Sequence, residues 1–146
     1  MEHTFILKPG QWDTAGVIQD AAGTETPVQG YANISHAPDI WLNESGMTPV
    51  SGGERITNTY TIQPPAKPGA PMRWSSHNPA LGALRGRFVF VGDTIVSIFD
   101  TEDGLHSGTE LMKQVADDKY VNVGVLLEQG EKVSSWAIEL RRKSAP

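Results

Sequence analysis

The sequence contains no cysteine. That absence removes disulfide scaffolds, thiolate zinc sites and cysteine nucleophiles together, and a chain without thiols fits a reducing compartment, so a cytoplasmic location is expected. Long apolar runs are missing too. No stretch approaches the roughly 18 apolar residues of a membrane helix. The start, Met1-Glu2-His3-Thr4-Phe5-Ile6-Leu7-Lys8-Pro9, has an acidic second residue and too short an apolar core for a signal peptide. The expectation is a soluble protein with no membrane partner. Positive charge is scarce, with 12 Lys and Arg against 17 Asp and Glu, a formal charge of -5 and a pI near 5.3. A phosphate backbone calls for a basic face, so no nucleic-acid partner is expected. The one basic cluster, Arg141-Arg142-Lys143, reads as a solvated end.

The common chemical motifs are absent as well. There is no G-x-G-x-x-G and no G-x-x-x-x-G-K-[ST], which removes the usual nucleotide sites. His3, His36, His77 and His106 lie far apart and none sits at metal-ligand spacing, so neither a metal nor a cofactor is expected; a haem would have to use His106 or His77. His36 and His77 fall at strand ends and read as solvated loop residues. Ser97 lies inside a strand without the strained turn of a G-x-S-x-G elbow, so a serine triad is not expected either.

What the chain does have is the punctuation of an antiparallel meander. Runs rich in β-branched and aromatic residues flank Gly92-Asp93 between Arg85 and Phe99, the signature of a two-residue hairpin with positive φ. The pattern recurs as Tyr120 to Leu127, Gln129-Gly130 and Lys132 to Leu140. Upstream, Phe5-Ile6-Leu7 reads as a short lead-in, followed by strands at Gln11 to Asp20, Pro27 to Ser35, Arg55 to Gln63 and Met72 to His77. Ile40-Trp41-Leu42 is only a short apolar run. Pro64-Pro65-Ala66-Lys67-Pro68-Gly69-Ala70-Pro71 is an exposed connection, and Ser144-Ala145-Pro146 is a tail. Leu105 to Val115 matches both a capping box at Ser107-Gly108-Thr109-Glu110 and a strand, and the flanking meander favours strand. The length of 146 residues fits a single domain, 1–146. About nine or ten short strands with no long helix must manage their edges, and the expected fold is all-β, an up-and-down meander closed into a barrel of about 8–10 strands, with a β-sandwich as the alternative.

Gly10-Gln11-Trp12 at the start of the first long strand, the sequential meander and Arg141-Arg142 ending the last one resemble the calycin superfamily of lipocalins and fatty-acid-binding proteins. The resemblance implies that Trp12 packs under a basic side chain, Arg141 or Arg142, where the barrel closes. It carries no functional residue.

Alternation places Trp12, Ile56, Asn58, Tyr60, Ile62, Trp74, Leu84, Phe88, Phe90, Phe99, Trp136 and Ile138 on the inward face. A barrel of this size leaves room for one small ligand. The expected function is binding of a small hydrophobic or amphipathic molecule, with Trp74, Phe88, Phe99 and Trp136 as walls and Asn58 and Tyr60 as orienting groups. The alternative is a cofactor-independent isomerase, dehydratase or cyclase, with Tyr60 as acid and Glu110 as base beside His106, four residues earlier on the same side of its strand. A homodimer is an open expectation. Far-UV circular dichroism should report mostly strand and less than about a tenth helix, against a globular average near a third; above a quarter, the barrel reading fails.

Overall fold

The computed structural model describes residues 2–143; the tail read at Ser144-Ala145-Pro146 lies outside them. Ten strands make one antiparallel sheet: β1 (Gly10–Asp20), β2 (Glu25–His36), β3 (Trp41–Pro49), β4 (Ile56–Ile62), β5 (Met72–Asn78), β6 (Gly82–Val91), β7 (Thr94–Thr101), β8 (His106–Ala116), β9 (Lys119–Glu128) and β10 (Glu131–Arg142). Each strand pairs with its sequence neighbours, and β1 pairs with β10, so the sheet is a closed up-and-down barrel; the described residues contain no helix. The closing ladder runs from Trp12 opposite Arg142 to Asp20 opposite Ser134.

The two hairpins differ in kind. Between β6 and β7 only Gly92 has positive φ, at 58°, as a type II′ turn requires; between β9 and β10 both Gln129 and Gly130 do, at 49° and 86°, as type I′ requires. The segment with the capping-box pattern is β8. Its Ser107 and Thr109 pair with Asp100 and Ile98 of β7, so ladder partners on both sides override the helical signal.

Two segments carry more structure than their sequence suggests. Ile40-Trp41-Leu42 is the start of a nine-residue strand. Its inward positions are Asn43, Ser45 and Met47, and because they face a lumen and not a packed core the strand has no apolar stripe to announce it. The lead-in at Phe5-Ile6-Leu7 is a plug. Phe5 and Ile6 are 3% and 0% exposed and seal one end of the barrel, with Ile6 held at a φ of 69°, an uncommon state for a β-branched residue.

Polar groups anchor this plug. The Tyr120 hydroxyl accepts the backbone N–H of Thr4 at 3.1 Å and lies 2.8 Å from His3 Nδ1. His3 Nε2–H donates to the Gly92 carbonyl at 2.9 Å, on the side of the ring away from the Tyr120 hydroxyl. His36, expected to be solvated, instead donates from Nε2 to the Ile6 carbonyl at 2.7 Å and stacks on Trp41 at 3.7 Å between centroids. His77 is exposed as expected.

Trp12 is fully buried beneath the plug, edge-on to Phe5 and Tyr120 with centroids 5.3 and 5.6 Å away. Of the two terminal arginines it is Arg142 that stands opposite it, with its guanidinium donating to the Pro9 carbonyl at 3.1 Å and crowding Gly10; Arg141 pairs with Glu139. Replacing Trp12 with Ala should lower unfolding free energy in chemical denaturation by about 3–5 kcal/mol, the usual cost of a buried aromatic. A loss below about 1 kcal/mol would mean the plug, and not Trp12, holds the closure.

Candidate functional site

Above the plug the barrel is not filled. A cavity of about 310 Å³ runs from Phe5 and Ile6 to a mouth lined by Ile18, Met47, Ile56, Leu81 and Leu126. Ile56, read as inward from its phase, stands at this mouth and is 58% exposed.

One wall is built on β5 to β10 by one device used twice. Trp136 of β10 is the register partner of Gly124 on β9, and Gly124 is the partner of Glu110 on β8. A Cβ on Gly124 would lie 2.3 Å from Trp136 Cζ2, so only glycine lets the indole lie across the middle strand. Laid there, its Nε1–H donates to Glu110 Oε1 at 3.0 Å, and Asn122 Nδ2 donates to the same oxygen at 2.7 Å. Trp74 of β5 lies over Gly86 of β6 in the same way, with a would-be Cβ 2.5 Å from Cε2, and donates from Nε1 to Ser97 Oγ on β7 at 3.2 Å. Ser97 and Glu110 are themselves register partners. Two tryptophans thus reach over glycines to grip adjacent polar groups.

The opposite wall comes from β3, β4 and β5. Asn43 pairs with Tyr60 and Ser45 with Asn58. Asn78 donates to Asn58 Oδ1 at 3.4 Å, while its own Oδ1 caps the Ala80 and Leu81 N–H groups at 2.8 and 3.1 Å. Tyr60 sits edge-on to Trp74, centroids 5.2 Å apart.

Electrostatically the lumen is one-sided. Among the described residues the inward-facing lining holds Glu110 and Tyr60 as its titratable groups and no Lys, Arg or His; Tyr31 borders the cavity from the outward phase, with the Arg55 guanidinium 5.4 Å from its ring centroid. Burial raises the Glu110 carboxyl above the usual range, against the opposing pull of the hydrogen bonds from Asn122 and Trp136. The Tyr60 phenol is raised by burial first and then by the negative charge of Glu110. Thr14 Oγ1, Asn43 Oδ1 and Asn122 Oδ1 belong to lining residues and are buried without a hydrogen-bond partner.

Asn58, Tyr60, Trp74, Phe88, Phe99 and Trp136, the candidates from the sequence, all line this cavity, as does Glu110. His106 does not. It shares Glu110's face of β8, but four residues of strand put it about 13 Å away, at the mouth end, where its Nε2 is 3.8 Å from Glu128. An acid–base pair of Glu110 with His106 is therefore not assembled. Among the inward candidates, Trp12 and Ile62 lie in the packed base, and Phe90 packs against His3, with centroids 5.6 Å apart.

Sequence reasoning missed Thr14, Asn43, Ser45 and Asn122. Asn122 carried a readable signal, a polar residue in the inward phase of Tyr120, Gly124 and Leu126. Among the described residues no group of three His, Asp or Glu side chains is placed to hold a metal ion, and no helix is long and apolar enough to cross a membrane.

No family model and no curated protein matches the sequence. Among solved structures the chain is similar to the S-type phycobiliprotein lyase CPES from Guillardia theta, with a TM-score of 0.72 over 94% of this chain and 89% of that one, at 10% sequence identity. The likeness is one of fold.

The environment of Glu110 sets a pH dependence. On raising pH through the ordinary carboxylate range the unfolded chain ionises at this residue first, while the folded protein keeps its proton, so this group's contribution to stability falls until the folded carboxyl also ionises. Asp103 and Glu139, held low chiefly by hydrogen bonds from Thr101 and Arg141, act with the opposite sign at lower pH and are common to both proteins. Glu110→Gln should therefore gain thermal stability relative to the parent as pH rises from about 4 to 8. Parallel melting curves across that range would show that Glu110 is solvated.

Proposed function

We propose that the protein binds one small hydrophobic or amphipathic molecule inside the barrel, with Trp74, Phe88, Phe99 and Trp136 as walls and Asn58 and Tyr60 as orienting groups. The observation that carries this reading is a cavity of about 310 Å³, apolar for most of its lining, which Tyr60 lines and around which three buried polar atoms, Thr14 Oγ1, Asn43 Oδ1 and Asn122 Oδ1, lack a partner among the described residues. An apolar enclosure with a few convergent polar groups is the usual form of a small-molecule site, and this volume is at the small end of the range. Buried polar atoms without partners carry a desolvation cost that a bound molecule would offset. The calycin-like ladder and the shared fold with a phycobiliprotein lyase agree with a ligand-holding barrel.

A second reading, a cofactor-independent isomerase, dehydratase or cyclase, is favoured by one observation. Glu110, with its proton held above the usual range, and the Tyr60 phenol face one lumen, as an acid–base pair would.

Native mass spectrometry of the purified protein should show one retained small molecule. With that molecule in hand, Tyr60→Phe should weaken binding about 5- to 10-fold, the value of one neutral hydrogen bond, with the ligand unchanged. Conversion of the ligand by the parent, lost by about 10²- to 10⁴-fold in Glu110→Gln, would select the enzyme reading. An empty barrel that also takes up no apolar dye would overturn both.

A further inference from the structure

The cavity contains a carboxyl group and nothing to neutralise it. Oε1 of Glu110 already receives two donors, from Asn122 and Trp136, while Oε2 receives none from the described residues. No cationic side chain of the described residues lines the lumen. Asn122 is oriented by its bond to Glu110, since reversing its amide would set two oxygens against each other; its Oδ1 is therefore an acceptor, and it is buried with no donor. Tyr60, whose hydroxyl is also able to accept, lines the same cavity. The unmet demand of this wall is for donors.

We propose that the ligand carries a protonated nitrogen, a hydrophobic amine whose ammonium group sits on Glu110 Oε2 and Asn122 Oδ1 while its apolar body lies between Trp74, Phe88 and Phe99. This rests on the reading of the cavity as a ligand site. A lone carboxylate in a water-poor interior is strongly unfavourable unless a cation joins it, and the protein supplies none. The aromatic rings add to the fit, because a cation near the faces of tryptophan and phenylalanine is attracted by their π-systems. A carboxylate-headed ligand such as a fatty acid would place like charge against Glu110. The neighbours of Glu110 on β7, β9 and β10 are Ser97, Gly124, Asn122 and Trp136, all uncharged, and Tyr60 across the lumen is the other titratable group facing it. Bringing an ammonium ion here therefore favours the ionised carboxylate, so the affinity for an amine should rise with pH until Glu110 is ionised in the free protein.

Three probes with one body separate the possibilities: 2-naphthylmethylamine, 2-naphthylmethanol and 2-naphthylacetate, titrated calorimetrically into the full-length protein at neutral pH. The amine should bind at least about tenfold tighter than the alcohol, with the acid weakest. Repeating the amine titration from about pH 4 to 8 should show its affinity rising as Glu110 ionises. Glu110→Gln should remove about tenfold or more of the amine's affinity, leave the alcohol within about twofold and flatten that pH dependence. If the alcohol or the acid binds as tightly as the amine, or the amine's affinity does not rise with pH, the amine proposal falls and the cavity reading stands. If none of the three binds, the cavity reading falls and takes the proposal with it. The ranking in the parent protein needs no variant, so it decides the matter even if Glu110→Gln does not fold.

Discussion

The structure depends on the ladder between β1 and β10. Its nine register pairs, Trp12–Arg142 to Asp20–Ser134, turn a ten-strand sheet with two open edges into a surface with an inside and an outside. Only after that closure does alternation acquire a meaning, because the same pleat that would put one face to a core and one to water now puts one face to a lumen. The edges also vanish, and with them the unpaired backbone groups that would template aggregation. Trp12 sits where this ladder meets the plug, so closure of the wall and closure of the floor share one side chain.

Within the closed wall, glycine decides where aromatic rings can go. Gly86 and Gly124 are positions where any Cβ would strike an indole within 2.5 Å, and each lets a tryptophan from the neighbouring strand cross to a polar group on the strand beyond. Phe99 lies over Gly108 in the same manner, with a would-be Cβ 2.4 Å from Cζ. The rings stand against the wall and not across the lumen. That arrangement keeps the barrel partly hollow while still burying large apolar surfaces, and it brings the indole N–H of Trp136 to Glu110.

Much of the fold was legible because it rests on local chemistry. Gly92-Asp93 and Gln129-Gly130 dictate turns through φ alone, and Ile56 to Ile62 alternates without interruption. β3 was hidden for the opposite reason: with Asn43 and Ser45 facing a lumen, its periodicity is chemically silent. The plug was hidden because the value of Phe5, Ile6 and His3 depends on partners such as Tyr120, Gly92 and His36, which are 30 to 117 residues away along the chain. Within the site, the aromatic walls were readable from strand phase. The acceptors Asn43 and Asn122 were not singled out, since a polar residue in a strand is usually a wet one.

By itself the sequence determined that the chain is a sequential antiparallel meander, which side chains share a face, and that Asn58 and Tyr60 belong to an inward phase, because hairpin turns and the period of two are short-range properties of the backbone. Tertiary structure decided which inward residues meet. It separated His106 from Glu110, because residues that share a strand face are still spread along about 3.3 Å of rise each. It joined Trp136, Asn122 and Glu110, residues from three strands that only the register of β8, β9 and β10 brings together. And among the described residues it set no cation in the lumen beside the Glu110 carboxyl, a property of the whole lining that no single stretch of the chain contains.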